Sequence, residues 1–201
     1  MKNFTTKSKK KAREESVIGA YRYFTNNESL PKDKEYWTLS AACANSDGSI
    51  LIDSDYDHTI KSRLVATNQF HGVDNKESNY LLNRKLPGSW YHGDFTSTFQ
   101  DNAKNPGFLN VDTQSTFRVF RRDFYRIVKW TSQWDNVVCA FNFVKNNNCY
   151  KYAKCSLDDI VALMDEDKKL HILNGWTLSD RYYEYPGIDG RTDMITIYLH
   201  R

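Results

Sequence analysis

The sequence predicts a three-layer α/β domain: a mostly parallel sheet with helices on both faces and an antiparallel β-hairpin at its C-terminus. Three observations predict it. From Glu35 onward, short runs rich in aromatic and β-branched residues alternate with helix-like segments, the rhythm of βαβ units. The stretch "DNVVCAFNFV" is apolar almost throughout, as a strand covered on both faces must be. The chain ends in two strand-like runs, "GWTLSDRYYEYPG" and "TDMITIYLHR", joined by a turn containing Gly187 and Gly190.

The elements follow in order. "KSKKKAREESVIGAYRYF" reads as a helix with a basic start and an apolar end at Val17, Ile18, Tyr21 and Phe24, stopped by Asn26-Asn27. "EYWTLSAAC" is the first strand, and "SDGSILIDSDYDHTIKSRL" an irregular or helical connection. "NQFHGVD" is the second strand, and "NKESNYLLNRKL" a helix closed by Pro87-Gly88. "SWYHGDF" is a third strand, "TSTFQDNAKN" a short helix or loop, and "PGFLNVDT" a fourth strand. "QSTFRVFRRDFYRIVKWTS" carries Phe117, Phe120, Phe124, Ile127 and Val128 at helical spacing. After the long apolar strand, "SLDDIVALMDEDKKLHIL" is a helix with Ser156 as N-cap and Asp158-Asp159 in its first turn.

Length and composition bound the answer. The chain has 201 residues, 40% apolar and 14% aromatic, which suits one globular domain. Residues 1–34 form a basic N-terminal arm and helix, and residues 35–201 a single domain. No apolar run approaches the about 20 residues of a membrane span, and the charged N-terminus lacks the apolar segment of a secretion signal. A cytoplasmic protein is expected. Cys43, Cys139, Cys149 and Cys155 have no Cys-x-x-Cys spacing, so free structural thiols are expected and a metal site is not. Asp55-x-Asp57-x-Thr59 mimics the nucleophile motif of a phosphatase family, but only seven residues separate Thr59 from Thr67, too few for that fold. A solvated acidic turn is the simpler reading of Asp53, Asp55 and Asp57.

In open α/β sheets ligands sit beyond the carboxyl ends of the strands. Asp74 ends the second strand, Asp94 the third and Asp112 the fourth, so three successive strands point a carboxylate at one sheet edge. A carboxylate there can accept two hydrogen bonds from a ribose. For each of the three, capping of the following helix or turn is the alternative. The strand order, "GVD", "GDF" and "NVDT" in sequence, and the closing hairpin resemble the Rossmann-like, class I S-adenosylmethionine-dependent methyltransferases over roughly residues 35–201. The resemblance implies S-adenosylmethionine as cofactor. It places Asp74, with Asn75 beside it, at the ribose, Asp94 and Phe95 at the adenine, and Ser40, Ala41, Ala42 and Cys43 at the methionine end. Asn110 and Asp112 fall where that family orients or deprotonates the acceptor.

The sequence departs from the family pattern in two places. The glycine-rich loop after the first strand reads "SAACANSDG", with Ser40, Ala41 and Ala42 where glycines are expected and Gly48 late. The Asn/Asp-Pro-Pro-Tyr and Pro-Cys motifs of DNA methyltransferases are absent, so the resemblance names no acceptor atom. The charge distribution adds a partner. Lys7, Lys9, Lys10, Lys11 and Arg13 form a cationic arm, and Arg118, Arg121, Arg122, Arg126 and Lys129 lie around the polar side of the helix after the fourth strand. Such stripes attract phosphates, although exposed helix faces are often only solvated charge. The expected function is methyl transfer with nucleic acid as the favoured acceptor. The second reading is a non-catalytic Rossmann-like module that binds nucleic acid or protein and has lost the cofactor.

Overall fold

A computed structural model describes residues 11, 13–113, 115–144, 157–179, 183–186 and 193–201. A π-helical turn, Arg13–Gly19, runs into helix α1, Ala20–Thr25. Gly19, the poorest helix former of the segment, sits at the junction, where the sequence predicts one continuous helix. Asn26 ends α1 as expected: its φ of 55° is left-handed and its N–H reaches Arg22 O.

The alternating core begins with β1 (Glu35–Leu39), α2 (Asp55–Lys61), β2 (Phe70–Asp74) and α3 (Glu77–Asn83). It continues through β3 (Ser89–His92), α4 (Phe95–Asn102), β4 (Pro106–Asp112), α5 (Phe117–Thr131) and β5 (Val138–Val144). Helix α6 (Leu157–Glu166), a 3-10 turn (Leu170–Leu173), β6 (Thr177–Leu178), β7 (Tyr183–Pro186) and β8 (Asp193–His200) complete it. The last predicted helix is thus shorter than its pattern, broken after Glu166 where Lys168 takes a φ of 55°. Ser156, Gly187, Gly190, Cys149 and Cys155 lie outside the described residues.

One eight-stranded sheet runs β3-β2-β1-β4-β5-β8-β6, with β7 also on β8. Pairings from β3 to β5 are parallel, and β8 is antiparallel to β5, β6 and β7. The domain is Rossmann-like: a parallel core, helices on both faces and antiparallel strands at the C-terminal end. Alternation along the strands sorts side chains into two cores. Trp37, Val73, Leu109, Val111, Phe141 and Phe143 face α4, α5 and α6. Tyr36, Phe70, Phe108, Val138 and Tyr198 face the N-terminal helix, α2 and α3, with Val17, Ile18 and Tyr21 among them. On α5 the predicted stripe is real: Phe117, Phe124, Ile127 and Val128 are fully buried, each worth about 1.5–3 kcal/mol. No helix among the described residues is long and apolar enough to cross a membrane.

Candidate active site at the carboxyl edge of the sheet

The strand order fixes which side chains can share a ligand. Along the carboxyl edge it sets Asp94 and Phe95 (after β3), then Asp74 and Asn75 (β2), then Ser40 to Cys43 (β1), then Asn110 and Asp112 (β4). Adjacent strands lie about 4.8 Å apart, so β2 to β4 spans about 10 Å, the scale of a nucleoside.

Asp74 is 5% exposed and accepts hydrogen bonds on both oxygens. Oδ1 takes the Lys76 N–H at 2.7 Å and Oδ2 the Asn79 side-chain amide at 2.9 Å. This turn launches α3, which has no side-chain cap of its own. Each oxygen retains a second lone pair. Asn75 is exposed, and its carbonyl lies 3.3 Å from His92 Nε2.

β3 stops at His92, two residues short of Asp94. Asp94 is instead the exposed N-cap of α4, with Oδ1 accepting from Ser97 N at 2.9 Å and Ser97 Oγ at 3.1 Å. Phe95 is buried among the α4-side core, its ring parallel to Phe99 at 5.9 Å. Positions 95 and 99 share the inward face of α4. The backbone at 94–95 borders the edge; the ring does not.

The loop after β1 leaves the sheet earlier than the sequence predicts. Ser40 donates from both N–H (2.9 Å) and Oγ (3.3 Å) to Val73 O. Asn83 then holds the next residues: its Oδ1 accepts from Cys43 N (2.7 Å) and Ala44 N (3.3 Å), and its Nδ2 donates to Ala41 O (3.0 Å). Asn83 is fully buried on α3. Ala41 is exposed, and neither the Ala41 nor the Ala42 N–H makes a hydrogen bond among the described residues. A short bridge, Ala44 to Ile50, then carries the chain toward α2. Behind the loop, β2 has Gly72 because the Trp90 ring covers it: an added Cβ would meet that ring at 2.4 Å and Ser40 Oγ at 3.1 Å.

Asp112 is half-buried at the end of β4, and Asn110, on the same face, is 5% exposed. Asn110 belongs to a buried polar chain that the sequence reading missed. Thr196 Oγ1 donates to Asn142 Oδ1, Asn142 Nδ2 to Asn110 Oδ1 (3.2 Å), and Asn110 Nδ2 to Asp55 Oδ1 (3.4 Å). Tyr36 OH donates to Asp55 Oδ2 at 3.0 Å. Burial, then the Asp55 charge, push the Tyr36 phenol well above its usual pKa and keep it a donor. Asp55, read as part of a solvated turn, lies in the first turn of α2, where the helix dipole favours a carboxylate. The one local signal for it is Ser54, the N-cap that starts α2 by accepting from Asp57 N.

Of the basic arm, Lys9 and Lys10 lie outside the described residues. Lys11 pairs with Glu15 at 3.5 Å, and Arg13 opens the π-helical turn. Among the described residues no group of three or more His, Cys, Asp or Glu is placed to hold a metal.

No protein-family model matches the sequence, and comparison with curated proteins finds no relative. Comparison with solved structures does. The plantazolicin methyltransferase BamL, solved with a desmethyl-plantazolicin analogue and S-adenosylhomocysteine, superposes with a TM-score of 0.56 at 8% identity over 96% of this chain and 85% of its own. The N-methyltransferase NodS from Bradyrhizobium japonicum gives 0.51 at 9% identity over 93% and 95%. Aeropyrum pernix fibrillarin, solved with bound S-adenosylmethionine, gives 0.50 at 11% identity over 89% and 73%. The chain has the Rossmann-like fold of the class I S-adenosylmethionine-dependent methyltransferases.

Proposed function

We propose that this domain transfers a methyl group from S-adenosylmethionine to nucleic acid. The observation that carries the reading is the line of groups along one edge of this fold: Asp74, the unengaged N–H groups of Ala41 and Ala42, and Asp112 on neighbouring strands. They fit the cofactor in kind. The spare lone pairs of Asp74 would accept the ribose hydroxyls, with Asn75 alongside. The Ala41 and Ala42 N–H groups, with Ser40 and Cys43 in the same loop, would meet the methionine carboxylate. Asp94 and the backbone at Phe95 would border the adenine. When bound, the cofactor supplies an electrophilic methyl on a sulfonium. The protein's own part is positioning. Asp112 would orient the acceptor and take its proton, and Asn110, fixed by Asp55 and Asn142, would hold that wall in place.

Nucleic acid is favoured as acceptor because the N-terminal arm, with Lys9, Lys10, Lys11 and Arg13, is cationic. A cytoplasmic location goes with this reading. The test is methyl transfer from tritium-labelled S-adenosylmethionine to RNA and DNA. Label should enter nucleic acid with the native chain and be lost in Asp112→Ala. Incorporation into neither, by folded protein that binds the cofactor, would remove nucleic acid as acceptor.

One observation favours a second reading, a Rossmann-like binding module without cofactor. Asn83 and the turn at Asp74 already engage two loop amides and both carboxylate oxygens. Folded protein that binds nucleic acid but neither the cofactor nor S-adenosylhomocysteine would establish that module instead.

A further inference from the structure

Helix α5 carries Arg122, Arg126 and Lys129 at i, i+4 and i+7, on one helical face. The 3-10 turn after α6 brings Lys169 and His171 opposite them. Together with Tyr125, Ser132, Ile172 and Asn174 they line a cleft of about 530 Å³. Among the described residues no carboxylate lines it. Arg126 is shared with Asp123 (3.4 Å) and Gln100 (3.0 Å). Arg122, Lys129 and Lys169 have no carboxylate partner among the described residues. Gathering four permanent cations on a small concave surface costs mutual repulsion, and a polyanion relieves it.

The cleft is distinct from the carboxyl-edge site: it lies on the α5 side and includes none of Ser40 to Cys43, Asp74, Asn110 or Asp112. Its walls are held rigidly. Tyr125 OH donates to Asp167 at 2.8 Å, Arg121 pairs with the same carboxylate at 3.2 Å, and Trp176 Nε1 donates to Ser132 Oγ at 2.8 Å. These contacts tie α5 to the segment that follows α6.

We propose that this cleft binds the phosphate backbone of a single-stranded nucleic acid. Three features select that occupant over a small phosphorylated metabolite. The basic groups are all exposed, whereas small-anion sites enclose their ligand. The positive row continues beyond the cleft to Arg118, and Arg118 to Lys129 spans about 16 Å of helix axis, longer than one nucleotide. Tyr125 and His171 also line the cleft and offer rings on which the bases of a single strand can stack. The proposal deepens the nucleic-acid half of the proposed function but needs no cofactor, so it is tested without one.

The experiment is fluorescence anisotropy of a fluorescein-labelled oligouridylate with the full chain, across a salt series and without S-adenosylmethionine. Lys129→Glu/Lys169→Glu is compared with Lys32→Glu/Arg84→Glu, which makes the same charge change at exposed sites outside the cleft. The expected result is an affinity loss of tenfold or more for the cleft pair only. Its log–log salt slope should shrink by about 1.4, for two lost phosphate contacts on a single strand. The milder Lys129→Gln/Lys169→Gln pair, checked by circular dichroism, replaces the cleft variant if that misfolds. Equal losses in both pairs, binding of duplex DNA alone, or no binding by the native chain at low salt would each overturn the proposal. Failure of methyl transfer with cleft binding intact would count only against the carboxyl-edge reading.

Discussion

Replacing Asn83 by alanine should loosen the loop after β1 more than any other single change in α3. Its side chain makes three hydrogen bonds in a fully buried position: Cys43 N and Ala44 N at 2.7 and 3.3 Å, and Ala41 O at 3.0 Å. Each is worth about 0.5–1.5 kcal/mol net. Two of the three come from the backbone N–H groups of Cys43 and Ala44, and Asn83→Ala removes the Oδ1 acceptor they share. The loop is partly exposed at Ala41 and can admit water, which offsets part of the loss. The sum is about 2–4 kcal/mol. Urea unfolding of native and variant protein measures it as a lower midpoint at unchanged slope. Hydrogen exchange of the Cys43 and Ala44 amides should accelerate beyond what global destabilisation explains. A loss under about 0.5 kcal/mol with unchanged exchange at those amides would refute the assignment of Asn83 as the pin of this loop.

Gly72→Ala should cost about 1–3 kcal/mol, because the new Cβ meets the Trp90 ring at 2.4 Å; thermal unfolding with tryptophan fluorescence checks it, and shortening Trp90 to Leu should recover part. His71 lies against Trp37 at 4.5 Å, and burial pushes its imidazole below the usual 6.5. The unfolded chain therefore binds that proton more readily, so this stability is present above pH 6.5 and lost as pH falls. The acid limb of a stability–pH curve should flatten in His71→Gln. Tyr36 shifts the other way. Its raised pKa gives stability that is present below pH 10.0 and lost as the pH rises above it, so Tyr36→Phe should lose the Asp55 bond yet show a shallower alkaline limb in urea titrations.

Much of the fold was legible because its signals are local. The all-buried β5, the α5 stripe and the Asn26 stop can each be read from a dozen residues, and strand–helix alternation then leaves few topologies. The carboxyl-edge positions of Asp74 and Asp112 follow from the same alternation. What was not legible depends on contacts far apart in sequence. Asn83 reads as one more polar residue of a short helix until the fold brings it to a loop some forty residues earlier. Asp55 reads as surface charge until α2 sets it between Tyr36 and Asn110. For Asp94 the signal was local, and the capping alternative is the one the fold takes: an aspartate three residues before Ser97 at a helix start is an N-cap, which ends β3 sooner than its apolar run suggests. The basic stripe of α5 was visible, but its conversion into a cleft needs Lys169 and His171 from another element.

On the proposed reading the carboxyl edge binds S-adenosylmethionine through Asp74 and the Ala41–Ala42 loop. Isothermal titration of the full chain with S-adenosylmethionine and with S-adenosylhomocysteine tests it directly. Both ligands should bind in the micromolar range, with binding lost in Asp74→Ala and retained in Asp94→Asn, whose amide oxygen still caps α4. Absence of heat with either ligand at millimolar concentration, from protein shown to be folded, would contradict it.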